Sequence, residues 1–306
     1  MKSKSTTIKI VVLVVLIALS CAYIMPIYVM ANASLKTPAE INQRDYLTPS
    51  LKPQFHNYME VMFGSDRFRT TMGPALVNSI IVSLSVTLLA AFFGGLSGYY
   101  LSRTKTKFNQ VLFILVGIAL YMPYQAVIVP LVVMTARARF AFVQLGPLLA
   151  PLIPGATDFI AASGGSLTRA AMILSYLVLN VPLASVLMGT FFLSVPRELE
   201  EAAEVDGASK VATFFKVVAP ISLPAYASVA IIIFTQVWNE FFLALTLASQ
   251  ETRTAQLVMA ETKGTTVVYY DLQMAAALLT VAVPLLIFLF MGRYFIRGIL
   301  AGALKG

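Results

Sequence analysis

Seven stretches of this chain contain no Lys, Arg, Asp or Glu: 10–35, 70–102, 108–136, 140–157, 170–196, 217–239 and 272–292. A helix needs about 20 consecutive apolar residues to cross a bilayer. Six of the stretches meet that length. Inside lipid the backbone must satisfy its own hydrogen bonds, so runs of this kind fold as helices. Only 12% of the residues are charged, where a soluble domain carries about 25%. The expected fold class is all-α integral membrane, one transmembrane domain over 1–306. Its six transmembrane helices are expected at 9–31, 72–102, 108–134, 169–194, 217–247 and 272–296. The stretch 140–157 is excluded, because Pro147, Pro151 and Pro154 oppose a regular helix. A span there would also invert every later segment. Residues 137–168 are therefore expected as an elaborated external loop with an apolar part, left through a Gly164-Gly165-Ser166 turn.

Basic residues orient the helices. Lys2, Lys4, Lys9, Arg103, Lys105, Lys107, Arg197, Lys210, Lys216, Arg293, Arg297 and Lys305 fall in short segments on one side. The remaining basic residues are spread over the longer stretches 36–69, 135–169 and 249–271. The positive-inside rule then places both termini in the cytoplasm. The net charge of +8 follows from this topology. No basic patch interleaved with aromatics points to nucleic acid. Residues 10–31 exceed the roughly 7–15 of a secretion-signal core, so they are expected as an uncleaved first helix. The lone Cys21 forms no metal or redox motif and is expected to be a small core residue.

Between the fourth and fifth helices lies a charged island, EEAAEVDGASK, residues 200–210. Pro196 and the acids Glu198, Glu200 and Glu201 suit the start of a helix. Leu199, Ala202 and Ala203 share a narrow small-residue face, with Glu200 and Glu204 on another. Gly207 suits a left-handed cap. A second helix over 208–219 would present Val211, Phe214, Phe215 and Val218 as an apolar stripe. The island can be an amphipathic hairpin on the membrane or a docking element; acids dominate where a membrane-surface helix would carry bases.

Glu201-Ala202-Ala203, then Asp206-Gly207-Ala208, Phe215, Pro220 and Pro224 resemble the EAA loop of permease subunits of binding-protein-dependent ABC importers. YYLSRTKTKFNQ (99–110), Met122-Pro123, Val129-Pro130, Trp238-Asn239-Glu240-Phe241 and RYFIRGILAGALKG (293–306) are similar to the carbohydrate, maltose-permease-like branch. The resemblance covers about residue 8 to 306. It implies that the loop 196–220 is a cytoplasmic coupling helix docked on a separate ATPase. Glu200, Glu201, Ala202, Ala203, Asp206, Gly207 and Ala208 would make that contact. It further implies a second homologous permease subunit, an ATPase dimer, an external sugar-binding protein and a bacterial or archaeal cell membrane. ATP and Mg would sit on the ATPase, with no cofactor, metal or catalytic residue on this chain. The sequence has no GxxxxGK[ST] loop of its own.

Polar side chains inside apolar runs face protein or water. Asn78, Tyr121, Gln125, Asn180, Gln236, Trp238, Asn239 and Glu240 are the candidates for a sugar pathway. Amides and carboxylates bond hydroxyls, and aromatic rings stack on sugar faces. Trp238 also suits a membrane-interface position, and Asn78 and Asn180 also suit interhelical hydrogen bonds. The competing class is a self-sufficient secondary transporter or channel. It would need a buried proton or ion relay, and the spans offer essentially Glu240 alone. Prolines 26, 123, 130, 182, 224 and 284 within the spans suit bent helices around a pathway.

Overall fold

A computed structural model describes residues 2–43, 45–104, 106–262 and 268–303, with side chains described from Ile8 to Gly292 outside those gaps. Lys105 and Lys305, used above for orientation, lie outside the described residues, as do the side chains of Lys2, Lys4, Arg293 and Arg297. Every regular element among the described residues is helical. The long helices are α1 (Lys2–Ser34), α4 (Met72–Arg103), α6 (Gln125–Leu149), α8 (Gly164–Ser194) and α15 (Tyr270–Ala303). Shorter ones are α2 (Pro38–Asn42), α3 (His56–Phe63), α5 (Lys107–Ala119), α7 (Ala156–Ala162) and α9 (Glu198–Val205). Next come α10 (Lys210–Thr213), a π-helical turn (Phe214–Val218), α11 (Ala219–Ile221) and α12 (Leu223–Trp238). Then follow α13 (Phe242–Leu247), a 3₁₀ turn (Gln250–Thr252) and α14 (Ala255–Glu261).

Five helices are long and apolar enough to cross a membrane, and a sixth span arises if α10–α11 and α12, bent by 75°, count as one. The expected helix 108–134 is corrected. It is interrupted at 120–124, where Pro123 cannot continue the hydrogen-bond ladder of α5. The spanning-length helix is α6, which begins and ends later than expected. Residues 137–149 are helical too, not loop, with Pro147 inside α6. A proline removes one intrahelical bond, and an otherwise apolar helix retains the rest. Gly164-Gly165-Ser166 form the first turn of α8, so they are not an exit turn. The expected helix 217–247 is divided by the bend at Ser222 and the break at 239–241. Cys21 is exposed on α1, whose apolar side chains from Ile8 to Tyr28 face outward, so it belongs to no core.

The contacts divide the chain into two compact units, 1–73 with 258–282 and 74–257 with 283–306. In the first, polar bonds lash the end of α1 to the segment that follows it. Asn32 Nδ2 donates to the carbonyls of Tyr46 (2.8 Å) and Thr48 (2.9 Å). Asn57 Nδ2 donates to those of Ser34 (2.9 Å) and Lys36 (3.1 Å). Arg67 anchors the other end, pairing with Asp271 at 2.8 Å and Glu60 at 3.2 Å and lying over the Tyr269 ring. Burial raises the Glu60 carboxyl, but the Ser65 hydroxyl and the Arg67 charge outweigh it and hold the group below its ordinary value. A carboxylate with a depressed folded value contributes stability above its unfolded value and loses it as pH falls through the folded one. Acidification below the ordinary carboxylate range therefore loosens 56–69. Amide exchange measured there against pH should show a step that Glu60→Gln flattens. A step that survives in Glu60→Gln would assign it to another group.

The second unit packs α4, α8, the π-turn, α12 and α13 around Val86, Tyr176, Met188, Phe192, Phe214 and Ile233. Apolar burial cannot drive helices together in lipid, so close approach at small residues does. Gly94 and Gly98 on α4 form that seam. A Cβ on Gly98 would sit 2.6 Å from the Ser185 carbonyl oxygen and 2.8 Å from the Gly189 nitrogen.

Candidate functional site

The break between α5 and α6, the proline in α8 and the end of α12 meet around one large cavity of about 1120 Å³. Leu120, Met122 and Tyr124 supply the first wall, and Tyr176 to Leu183 the second. Ile231, Ile232, Thr235, Gln236, Val237, Asn239 and Glu240 supply the third, with Phe288 beyond. The lining is largely apolar, with a few converging polar groups, as in a small-molecule site. Pro182 has no N–H to give the Val178 carbonyl four residues earlier, and both line the cavity.

The polar groups divide into occupied and free. Glu240 accepts from the Tyr176 hydroxyl at 2.6 Å and from the backbone N–H groups of Leu243 (3.0 Å) and Ala244 (3.3 Å). Its carboxylate thus starts α13 and is largely saturated. Asn239 donates to the Thr235 carbonyl at 2.9 Å and accepts from Gln256 at 3.2 Å. Asn180 is 3% exposed and donates to the Tyr176 carbonyl at 2.8 Å. Its Oδ1 accepts no hydrogen bond among the described residues. A buried acceptor left unpaired is costly, which sets Asn180 apart from the other polar residues that line the cavity.

Of the pathway candidates, Asn180, Gln236, Asn239 and Glu240 line the cavity, while Asn78, Tyr121, Gln125 and Trp238 do not. Asn78 bonds the carbonyls of Glu251 (2.9 Å) and Arg253 (3.1 Å) and accepts from Arg169 at 3.3 Å. It is a strut between α4, α8 and the 3₁₀ turn. Trp238 is buried with its ring stacked on Phe234 at 5.6 Å. Tyr121 is 91% exposed and Gln125 is exposed as well. Sequence reading missed Tyr124, Tyr176 and Thr235. Tyr176 carries the one available signal, standing four positions before Asn180 on the same helix face.

The acidic island forms a second site. The α9 helix buries no residue. It closes in a Schellman motif, with Ala208 N–H on the Ala203 carbonyl at 2.9 Å and Gly207 N–H on Glu204 at 3.0 Å. Gly207 adopts φ 85° there. Ser209 caps α10 through the Ala212 N–H. The start at Glu198 leaves Pro196 ahead of the helix instead of in its first turn. Glu201, Ala202, Glu204, Asp206 and Gly207 are exposed, and Ala203 and Ala208 half-buried. Glu200 turns inward, bonded to Arg103 and Tyr99. The expected apolar stripe splits: Phe214 and Val218 are buried, Val211 and Phe215 exposed.

A helical bundle with spans of membrane length, a broken helix beside a cavity and an exposed acidic helix–glycine–helix element defines a multi-pass membrane protein of transport type. The chain belongs to the family of binding-protein-dependent transport system inner membrane components, whose family model matches residues 90–301. It is 28% identical to the glucose import system permease protein GlcU of Saccharolobus solfataricus, over 92% of this chain and 90% of that one. It is 31% identical to the sulfoquinovosyl glycerol transport system permease protein SmoH of Agrobacterium fabrum, over 89% and 86% of the two chains. A bacterial ABC transporter that imports the acidic polysaccharide alginate shares the fold, with a TM-score of 0.71 at 18% identity over 95% of this chain and 97% of that one.

Proposed function

We infer that this chain is a permease subunit of an ABC importer for a sugar or glycoside in the cytoplasmic membrane of a bacterium or archaeon. On this reading α10–α12 is one bent span of six, and the positive-inside distribution of the basic residues supports cytoplasmic termini and a cytoplasmic α9. The exposed α9 with its Gly207 turn is the observation that carries the reading. It is an unburied, acidic, small-residue surface held in one conformation, which suits docking to an ATPase dimer. Glu201, Ala202, Ala203, Asp206, Gly207 and Ala208 are the contact, with Glu200 bracing it from behind. ATP and Mg belong to that ATPase, which drives the bundle between inward- and outward-facing forms. A second permease completes the pathway, and an external binding protein delivers the substrate. Kinship to permeases named for glucose, for melibiose, raffinose and stachyose, and for sulfoquinovosyl glycerol supports the substrate class.

Vesicles containing this chain, its partner permease, the ATPase and the binding protein test the reading. Sugar uptake should require both ATP and binding protein. Uptake that persists without the ATPase would sink it in favour of a self-driven carrier. Within the cavity, Asn180→Leu should raise the half-saturating concentration by about tenfold, one hydrogen bond of about 1.4 kcal/mol. Trp238→Phe should leave that constant alone and act on protein yield.

A further inference from the structure

The α9 helix has no apolar anchor of its own, yet a polar knot fixes it. Arg103, the last residue of α4, places Nε 2.7 Å and Nη2 2.6 Å from Glu200 Oε1. The same Nη2 donates to the Val195 carbonyl at 3.0 Å, just past the end of α8. Glu200 Oε2 accepts from the Tyr99 hydroxyl at 2.7 Å. The Arg103 and Glu200 side chains are 12% and 14% exposed. The Tyr99 ring packs against Phe192 of α8 at 5.6 Å and Phe214 of the π-turn at 4.8 Å. One carboxylate therefore joins α9 to α4, while its partners grip α8 and the segment after the glycine turn.

We propose that Arg103, Glu200 and Tyr99 are positioning residues that transmit the movement of α9 to the ends of α4 and α8. This rests on the reading of α9 as the ATPase contact. A short helix with no buried side chain can pivot on its flanking backbone when pushed. The knot removes that freedom. Its bonds are charge-assisted and sheltered from solvent, so they resist displacement better than an exposed pair. The two faces of α9 divide the labour: Glu201 and Ala202 meet the partner, and Glu200 carries the load inward. Lys has no planar fork to offer Glu200 and Val195 together, so the geometry asks for Arg.

Reconstituted complexes test this through the ratio of ATP hydrolysed to sugar moved. Arg103→Met and Glu200→Gln should retain the ATPase on purification and keep hydrolysing ATP. Their ratio should rise by about tenfold, one charge-assisted bond of about 1.4 kcal/mol. Tyr99→Phe should raise it by about threefold, a neutral bond of smaller worth. The exchanged pair Arg103→Glu with Glu200→Arg should recover part of the coupling. An unchanged ratio in all three single variants overturns the proposal, as does parallel loss of hydrolysis and uptake, which marks failed docking. If Arg103→Met does not insert, Tyr99→Phe and Glu200→Gln decide alone. If the unaltered complex holds no ATPase, the docking reading fails first. If it does and the ratios stay flat, only the transmission role falls.

Discussion

Vesicles carrying Gly207→Asp take up sugar at least about tenfold more slowly than the wild type, while the chain inserts at its normal level. The tenfold figure corresponds to about 1.4 kcal/mol of lost interface contact. The separation of the two outcomes follows from geometry. Gly207 sits at φ 85°, where an ordinary L-residue is strained by about 1–2 kcal/mol and Asp or Asn less. A Cβ added there meets nothing within 4 Å. Within this chain the first carbon costs backbone strain but meets no neighbour, so a collision there comes from a surface elsewhere. Gly207→Ala, with the least bulk, should fall between the wild type and Gly207→Asp. Normal uptake by Gly207→Asp would remove the docking role from this turn.

Replacement of Gly98 by Leu has the opposite signature. The variant should be nearly absent from the membrane, and what remains should unfold earlier in detergent. The first carbon alone lies under 3 Å from two backbone atoms of α8, which cannot rotate out of the way. Overpacking costs about 1–3 kcal/mol, occasionally more, and here it separates the helices that carry both sites. Gly117→Ala is the control, because its Cβ meets nothing within 4 Å and alanine favours a helix by about 1 kcal/mol. Equal yields of Gly98→Leu and Gly117→Ala would show that the seam does not hold α4 to α8.

The helices were legible because lipid allows few alternatives: a run without charge, long enough, folds as a helix. The interruption at 120–124 was legible only as a bend at Pro123, since Met122 and Pro123 lie within an uncharged run. Hydropathy does not register a change of direction. The glycine turn of the island was legible because it is local, its hydrogen bonds spanning at most five positions. The inward turn of Glu200 was not. Its partner lies 97 positions away, and nothing near Glu200 distinguishes it from Glu201. The pathway residues split similarly. A polar residue in an apolar run must find protein or water, but the sequence does not say which. Asn180 faces the cavity, whereas Asn78 ties segments together and Trp238 fills the core.

The break after α5 also constrains the surrounding solvent. That helix has 13 residues and is about 20 Å long at 1.5 Å per residue, shorter than a hydrocarbon layer about 30 Å thick. Non-helical backbone at that depth persists only against protein or water, and Leu120, Met122 and Tyr124 border the cavity. That side of the cavity is therefore bordered by protein or water and not by lipid.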